Sequence, residues 1–211
     1  MLRELLANYV KRKYFGNNHE PVRIGVYRPS VLSWSCIRKQ FNYYQQLSGK
    51  TIEEIPDNIV LLLAGGIVFH RLLQSLRNPD DSKFWDKTEV ECSLEVEMLG
   101  EKIQIVGHAD AIRKDEVYEF KHTRSLPSKP LFPHILQLNF YLGALGKIKG
   151  RLVYTGYDTE GGLDIREFPW MFSEWHLEHL IARAQALHIL LVNNQPPRCS
   201  CRDKRHEIGL L

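Results

Sequence analysis

The chain predicts an α/β fold, a mixed central sheet flanked by helices, and three patterns carry that expectation. From Glu89 to Met98, Val90, Cys92, Leu94, Val96 and Met98 alternate with Glu89, Glu91, Ser93, Glu95 and Glu97, the period of a half-buried strand. Two apolar helical stretches bracket the strand region, DNIVLLLAGGIVFHRLLQSL from Asp57 and PHILQLNFYLGAL from Pro133. Behind Ser173, in N-cap position, Leu177, Leu180, Ile181, Ala184, Leu187 and Leu191 form the core stripe of a long helix. With 211 residues, 44% of them hydrophobic, and no repeat or low-complexity segment, residues 1–211 are expected to form one domain.

The strands follow in order. Leu99-Gly100-Glu101 reads as a turn, and a second strand runs through Ile103 and Ile105 to end at Asp110. Arg113-Lys114-Asp115-Glu116 is a polar turn before a third strand through Val117 and Phe120. A fourth strand is expected from Arg151 to Tyr157 and a fifth from Leu163 to Phe168, joined by Glu160-Gly161-Gly162. Strand side chains alternate, so Glu119 and Lys121 project from one face while Tyr118 and Phe120 project from the other. Asp110, Glu119 and Lys121 are thus expected to share a face.

Two carboxylates beside a lysine suit a hard divalent cation that lowers the pKa of a bound water, with the ammonium stabilising charge on a phosphate. Alone, an acid-x-lysine pair on a strand is ordinarily a solvated sheet face, and a histidine such as His70 in an apolar helix is ordinarily packed core. The order of elements changes the weight. Gly66 and His70 lie four apart on one helix, and Gln137 and Tyr141 lie four apart on another, so each pair shares a face.

Gly66-x-x-x-His70, Gly107-His108-Ala109-Asp110, Glu119-Phe120-Lys121 and Gln137-x-x-x-Tyr141 together resemble the RecB-like nucleases of the PD-(D/E)XK superfamily. Cys36 within Ser33-Trp34-Ser35-Cys36-Ile37-Arg38-Lys39, and a cysteine-bearing tail after Pro196-Pro197, narrow the resemblance to the CRISPR-associated Cas-four nucleases. It runs from about Tyr27 to the C-terminal cysteines. The resemblance implies a restriction-endonuclease-like core over about 57–172 and an iron–sulfur subdomain built from about 25–50 and 195–206. It assigns His70, Asp110, Glu119 and the Phe120 carbonyl to Mg²⁺ or Mn²⁺, Lys121 to catalysis, and Gln137 and Tyr141 to contacting substrate or bracing the site. The implied activity is exonucleolytic cleavage of single-stranded DNA, 5′→3′, preparing spacer precursors for the Cas-one and Cas-two integrase proteins. Two other readings fit the same residues: a RecB-like repair nuclease acting with a helicase, and a non-catalytic iron–sulfur or zinc module that delivers DNA.

The implied cluster, [4Fe–4S] or [2Fe–2S], draws on Cys36 and the tail. Here the chain departs from the family, which offers three late cysteines where this chain has Cys199 and Cys201. The fourth ligand is then His206, near where the last cysteine would fall, or Cys92, whose place on the apolar face of its strand suits a small buried hydrophobe. Zinc is an alternative at such a thiolate-rich site.

A net charge of +3 is too mild to demonstrate nucleic-acid binding, but its placement is informative. Basic residues cluster at Lys11-Arg12-Lys13, Lys121 to Arg124 and Arg202 to Arg205. Arg38, Lys39, Tyr43 and Tyr44 interleave cations with rings on a predicted helix, a mixture suited to single strands. The competing arrangement has Phe41 and Tyr44 packed inward, and Trp34 suits the core or a lid on the cluster. The first residues lack the uninterrupted apolar core of a signal peptide, and no stretch reaches the roughly 18 apolar residues of a membrane span. Four cysteines, two of them one residue apart, suit a metal site in a reducing cytoplasm, so a cytoplasmic protein with no membrane partner is expected.

Overall fold

The structure is a computed structural model that describes residues 2–15, 23–46, 57–98, 100–158 and 160–199. In chain order its elements are α1 (Leu2–Phe15), β1 (Val26–Tyr27), α2 (Pro29–Leu32), α3 (Ile37–Gln46), α4 (Asp57–Gln74), β2 (Lys87–Met98), β3 (Glu101–Arg113), β4 (Glu116–Ser125), α5 (Phe132–Ala144), β5 (Lys149–Tyr157), β6 (Leu163–Met171) and α6 (Glu174–Val192). The strands form one mixed sheet in the order β1-β3-β4-β5-β6, with β2 on β3. β2 pairs antiparallel along nearly all of β3, from Met98↔Glu101 to Lys87↔Ile112. The other edge of β3 is shared, with β1 parallel at Gln104 and Ile105 and β4 antiparallel from Ala111 to Arg113. β4 and β5 are parallel across α5, and β5 and β6 are antiparallel.

The period-two reading of β2 holds: Cys92 and Val96 are buried, Val90, Leu94 and Met98 half-buried, and the alternate positions exposed. Gly100 makes the β2–β3 turn at φ 81°, a backbone region that glycine enters without a Cβ penalty. Val117, Leu152 and Tyr154 pack on one face of the sheet against α5 and α6. On the other face Leu73 of α4 packs with Trp85, Ala111, Phe120 and Val153. α1 lies on α4 through Ala7, Val10 and Val60. α5 is apolar nearly all round because it is enclosed nearly all round: every residue from Ile135 to Leu142 is buried.

Two expectations are corrected. The second strand does not end at Asp110 but continues to Arg113, because Ala111, Ile112 and Arg113 still pair with β4. Ser173 stands at the N-cap position of α6 without a side-chain capping bond; instead its N–H donates to Asn139 Oδ1 at 2.8 Å, so α5 fixes where α6 begins.

Gly107 sits where three elements converge. A Cβ there would lie 2.8 Å from Pro29 Cγ and 2.9 Å from Tyr141 Cε1, both ring atoms with little freedom to move. Gly107→Ala is expected to lower stability by about 1–3 kcal/mol through overpacking, read as a fall in the urea midpoint. An unchanged midpoint would show that the rings yield.

Candidate active site

The site is built where β3 leaves β4. The antiparallel ladder runs Arg113↔Glu116, Ile112↔Val117, Ala111↔Tyr118 and stops. At the next position, Asp110 Oδ2 accepts the N–H of Phe120 at 2.6 Å, so a side chain takes over as the strands separate. The other neighbour of Asp110 is irregular too. The β2–β3 register passes from Thr88↔Ala111 to Val90↔Ala109, and the intervening Glu89 has a left-handed backbone, φ 51°, an uncommon state for a residue with a Cβ. Gln74 Nε2 donates to the Asp110 carbonyl at 3.2 Å and to Glu89 Oε1 at 2.5 Å. His70, one helical turn before Gln74, places Nδ1 3.3 Å from Asp110 Oδ1.

Glu119 projects to the α5 side of the sheet and is 1% exposed. Lys121 Nζ lies 2.6 Å from its Oε1 and donates to Gln137 Oε1 at 2.8 Å, while Gln137 Nε2 donates to the Tyr141 hydroxyl at 2.9 Å. Glu119 Oε2 is buried and has no hydrogen-bond partner among the described residues. Burial, then the Asp110 charge, push the Glu119 carboxyl up to about 8 against the pull of Lys121. Burial lowers the His70 pKa, but the hydrogen bond and charge of Asp110, with Glu119, outweigh it and leave that pKa raised. The fold therefore joins His70, Asp110, Glu119, Lys121, Gln137 and Tyr141 into one connected group, with Phe120 supplying its N–H to Asp110 and its ring to the opposite core.

Three neighbours lie outside the sequence motifs. Gln74 holds the Asp110 carbonyl, and its spacing of four from His70 was the available signal. His122 stacks on Phe69 with centroids 4.4 Å apart and meets Thr155 Oγ1 at 3.1 Å. His134 Nδ1 lies 2.9 Å from the Tyr154 hydroxyl, and burial, with Lys121 adding, pushes its pKa down to about 3.

Cys36 and Cys199, 163 residues apart in sequence, bring their sulfurs to 3.9 Å. That is too far for a disulfide bond of about 2.05 Å. It is near the separation of about 3.8 Å between two thiolates on one tetrahedral metal with metal–sulfur bonds of roughly 2.3 Å. The loop before Cys36 is held tightly. Gln40 Nε2 donates to the carbonyls of Leu32 and Trp34 at 3.0 and 2.7 Å, and Arg183 of α6 donates to the same two carbonyls. On the tail side, Arg38 Nη1 donates to the Pro197 carbonyl at 3.2 Å. Cys201 and His206 lie outside the described residues. Cys92 is a packed core thiol: its Sγ meets the Gly107 carbonyl at 3.5 Å and burial pushes its pKa up to about 11. Its surroundings are those of a small hydrophobe.

No family model matches the chain. Over 107 residues it is 35% identical to the CRISPR-associated exonuclease Cas4 of Saccharolobus solfataricus, 48% of this chain and 52% of that protein. This chain is similar to the Cas4 exonucleases. The alignment spans about half the length of that curated relative. The crystal structure of SSO0001 superposes with a TM-score of 0.65 at 24% identity, covering 97% of this chain and 90% of the other. At that identity the likeness is one of fold: the α/β arrangement with its mixed sheet is shared across nearly the whole chain.

The candidate DNA-binding residues divide. Lys39 Nζ sits 4.7 Å from the centroid of the Trp34 ring, and Tyr43 packs edge-on against Trp34 and Tyr44. Tyr44 is corrected: it is 2% exposed, its hydroxyl accepts the Arg28 N–H at 2.8 Å, and Tyr27 and Tyr43 cover its ring edge-on. A base cannot reach it. Arg38 is occupied with the tail. No helix among the described residues is long and apolar enough to cross a membrane.

Among the described residues, no group of three or more His, Cys, Asp or Glu side chains is set to hold a metal ion as it stands. The carboxylates are turned instead to His70, Phe120 and Lys121. The donor set nevertheless fits a hard divalent cation: an imidazole and two carboxylates, one of which keeps a buried oxygen, Glu119 Oε2, that no described residue satisfies.

Asp110→Ala is expected to cost about 1–3 kcal/mol of stability, because it leaves the Phe120 N–H buried and unpaired. Asp110→Asn keeps an acceptor oxygen and is expected to lose markedly less in the same denaturation series. Equal losses would show that the fork does not depend on this bond.

Proposed function

We propose that this chain is a metal-dependent deoxyribonuclease of the Cas4 type, with one domain over 1–211 whose core spans about 57–172. The observation that carries the reading is the bare, buried Glu119 Oε2 beside Asp110, with Lys121 fixed on the same carboxylate. A buried carboxylate oxygen without a partner costs stability, and a phosphodiesterase has a use for it. His70, Asp110 and Glu119, with the Phe120 carbonyl, would hold Mg²⁺ or Mn²⁺, which supplies Lewis-acid stabilisation of the phosphate and a more acidic water. Lys121 stands between Glu119 and Gln137, a fixed positive charge where negative charge builds on the phosphate. Tyr141 braces Gln137 from below, so the ammonium is held by a chain of groups that cannot turn independently.

The finer proposal is exonucleolytic cleavage of single-stranded DNA from the 5′ end, preparing spacer precursors with the Cas-one and Cas-two integrase proteins. Cys36, Cys199, Cys201 and His206 would carry an iron–sulfur cluster that joins the segments around 25–50 and 195–206. The 3.9 Å approach of Cys36 and Cys199 supports a shared metal centre there.

Cleavage of single-stranded DNA labelled separately at each end is expected only with Mg²⁺ or Mn²⁺. It should fall on the order of 100-fold or more in Asp110→Asn and in Lys121→Met. The label released first gives the polarity. Metal-independent cleavage, or cleavage that survives both substitutions, would overturn the reading, and a folded protein that binds DNA without turnover would make it an adaptor. Cys36→Ser or Cys199→Ser is expected to abolish the visible absorbance and iron content of the purified protein and to lower its denaturation midpoint. Stoichiometric zinc without sulfide would replace the cluster with a zinc site, and the absence of any metal would remove the centre.

A further inference from the structure

A cavity of about 730 Å³ opens beside the catalytic group, in the size range of ligand sites, roughly 300–1,000 Å³. It lies where β3 has no ladder partner on one edge, between Ile105, paired to β1, and Ala111, paired to β4. One wall is the stretch from Arg23 through β1 to the start of α2, carrying Arg23 and Arg28; the other is the β2–β3 hairpin, carrying Glu91, Gln104 and His108; Tyr141 also lines it. Both arginines are exposed, and neither guanidinium makes a hydrogen bond or ion pair with a side chain among the described residues. Tyr141 belongs to both places: its ring lines the cavity and its hydroxyl ends the chain from Lys121 through Gln137.

We propose that this cavity seats the single-stranded DNA adjoining the reacting phosphate, with its phosphates on Arg23 and Arg28 and its bases turned toward the β2–β3 wall. The two walls differ in the way this requires. The arginine wall offers two forked donors, neither hydrogen-bonded to a side chain among the described residues, which match phosphate geometry. The facing wall carries Glu91 opposite His108 across the strand pair, with Gln104 further along β3. A carboxylate repels phosphate but accepts hydrogen bonds from exocyclic amines, and Gln104 both donates and accepts. The Tyr141 ring supplies an apolar surface for a sugar or base. The seat goes beyond the catalytic residues, although the identity of its ligand rests on the nuclease reading.

The test is fluorescence anisotropy of a labelled single-stranded 12-mer, using full-length protein carrying its native metal centre and no added divalent cation, across a salt series. Arg23→Ala/Arg28→Ala is expected to weaken binding roughly tenfold at about 0.1 M salt. It should also make the slope of log K against log salt shallower by about 1.4, since each single-strand phosphate contact contributes about 0.7. Lys83→Ala/Lys149→Ala, outside the cavity, removes the same charge and should leave the slope near that of the parent. An unchanged slope in the arginine variant, or an equal loss in the lysine variant, overturns the seat. Binding is read without turnover, so protein that loses affinity with the arginines yet never cleaves DNA overturns the nuclease reading and not the seat.

Discussion

The bond from the Phe120 N–H to Asp110 Oδ2 is the constraint on which the rest of the site depends. A sheet that forks must leave backbone donors behind, and a buried unpaired N–H is costly. Here the carboxylate proposed to hold the metal is also the acceptor the fork needs. That double duty places Asp110 next to Glu119, opens the edge of β3 and lets β1 pair further along the same edge. The left-handed backbone of Glu89 and the two bonds from Gln74 meet the same difficulty from the β2 side. The irregularities on the two edges of β3 therefore gather at one residue.

Charge is arranged with the same economy. Asp110 and Glu119 are neighbours in a poorly solvated place, where their repulsion would favour protonation or local unfolding. His70 and Lys121 each face one of them, from α4 and from β4, and Gln137 takes up the ammonium on its far side. Within this group, Glu119 Oε2 stays unanswered by any described residue. A group built only for stability would have closed that gap or replaced the carboxyl with an apolar side chain.

The regular elements were legible in the sequence because their periods are set by backbone geometry. The alternation of β2, the face shared by Glu119 and Lys121, and the helical pair Gln137 and Tyr141 all follow from spacing alone. The fork was not legible. A ladder ends at Ala111 rather than Asp110 because of one side chain to backbone bond, which leaves no trace in periodicity. Gln74 was missed for a related reason, since a polar residue near the end of an apolar helix has many ordinary explanations. Tyr43 and Tyr44 show the limit for aromatic residues: both suit a core or a nucleic acid, and only the Arg28 N–H and the ring of Tyr27 settle that Tyr44 faces inward. The meeting of Cys36 with Cys199 spans 163 residues, a separation over which no local pattern carries information, and the family resemblance alone pointed to it.

α5 has no solvent side along its central eight residues. Its polar members are committed in opposite directions, Gln137 to Lys121 and Tyr141, Asn139 to the Ile135 carbonyl and the Ser173 N–H. A mutation in this stretch therefore has nowhere neutral to land: one aimed at the Lys121–Gln137–Tyr141 chain also disturbs packing, and one that repacks the core also moves the lysine's brace. Substitutions meant to leave the core intact have more room on α3, β2 and the β1–α2 segment, where one face is open to water. For the same reason, α5 and α6 are best exchanged together in any chimaera, since the first determines where the second starts.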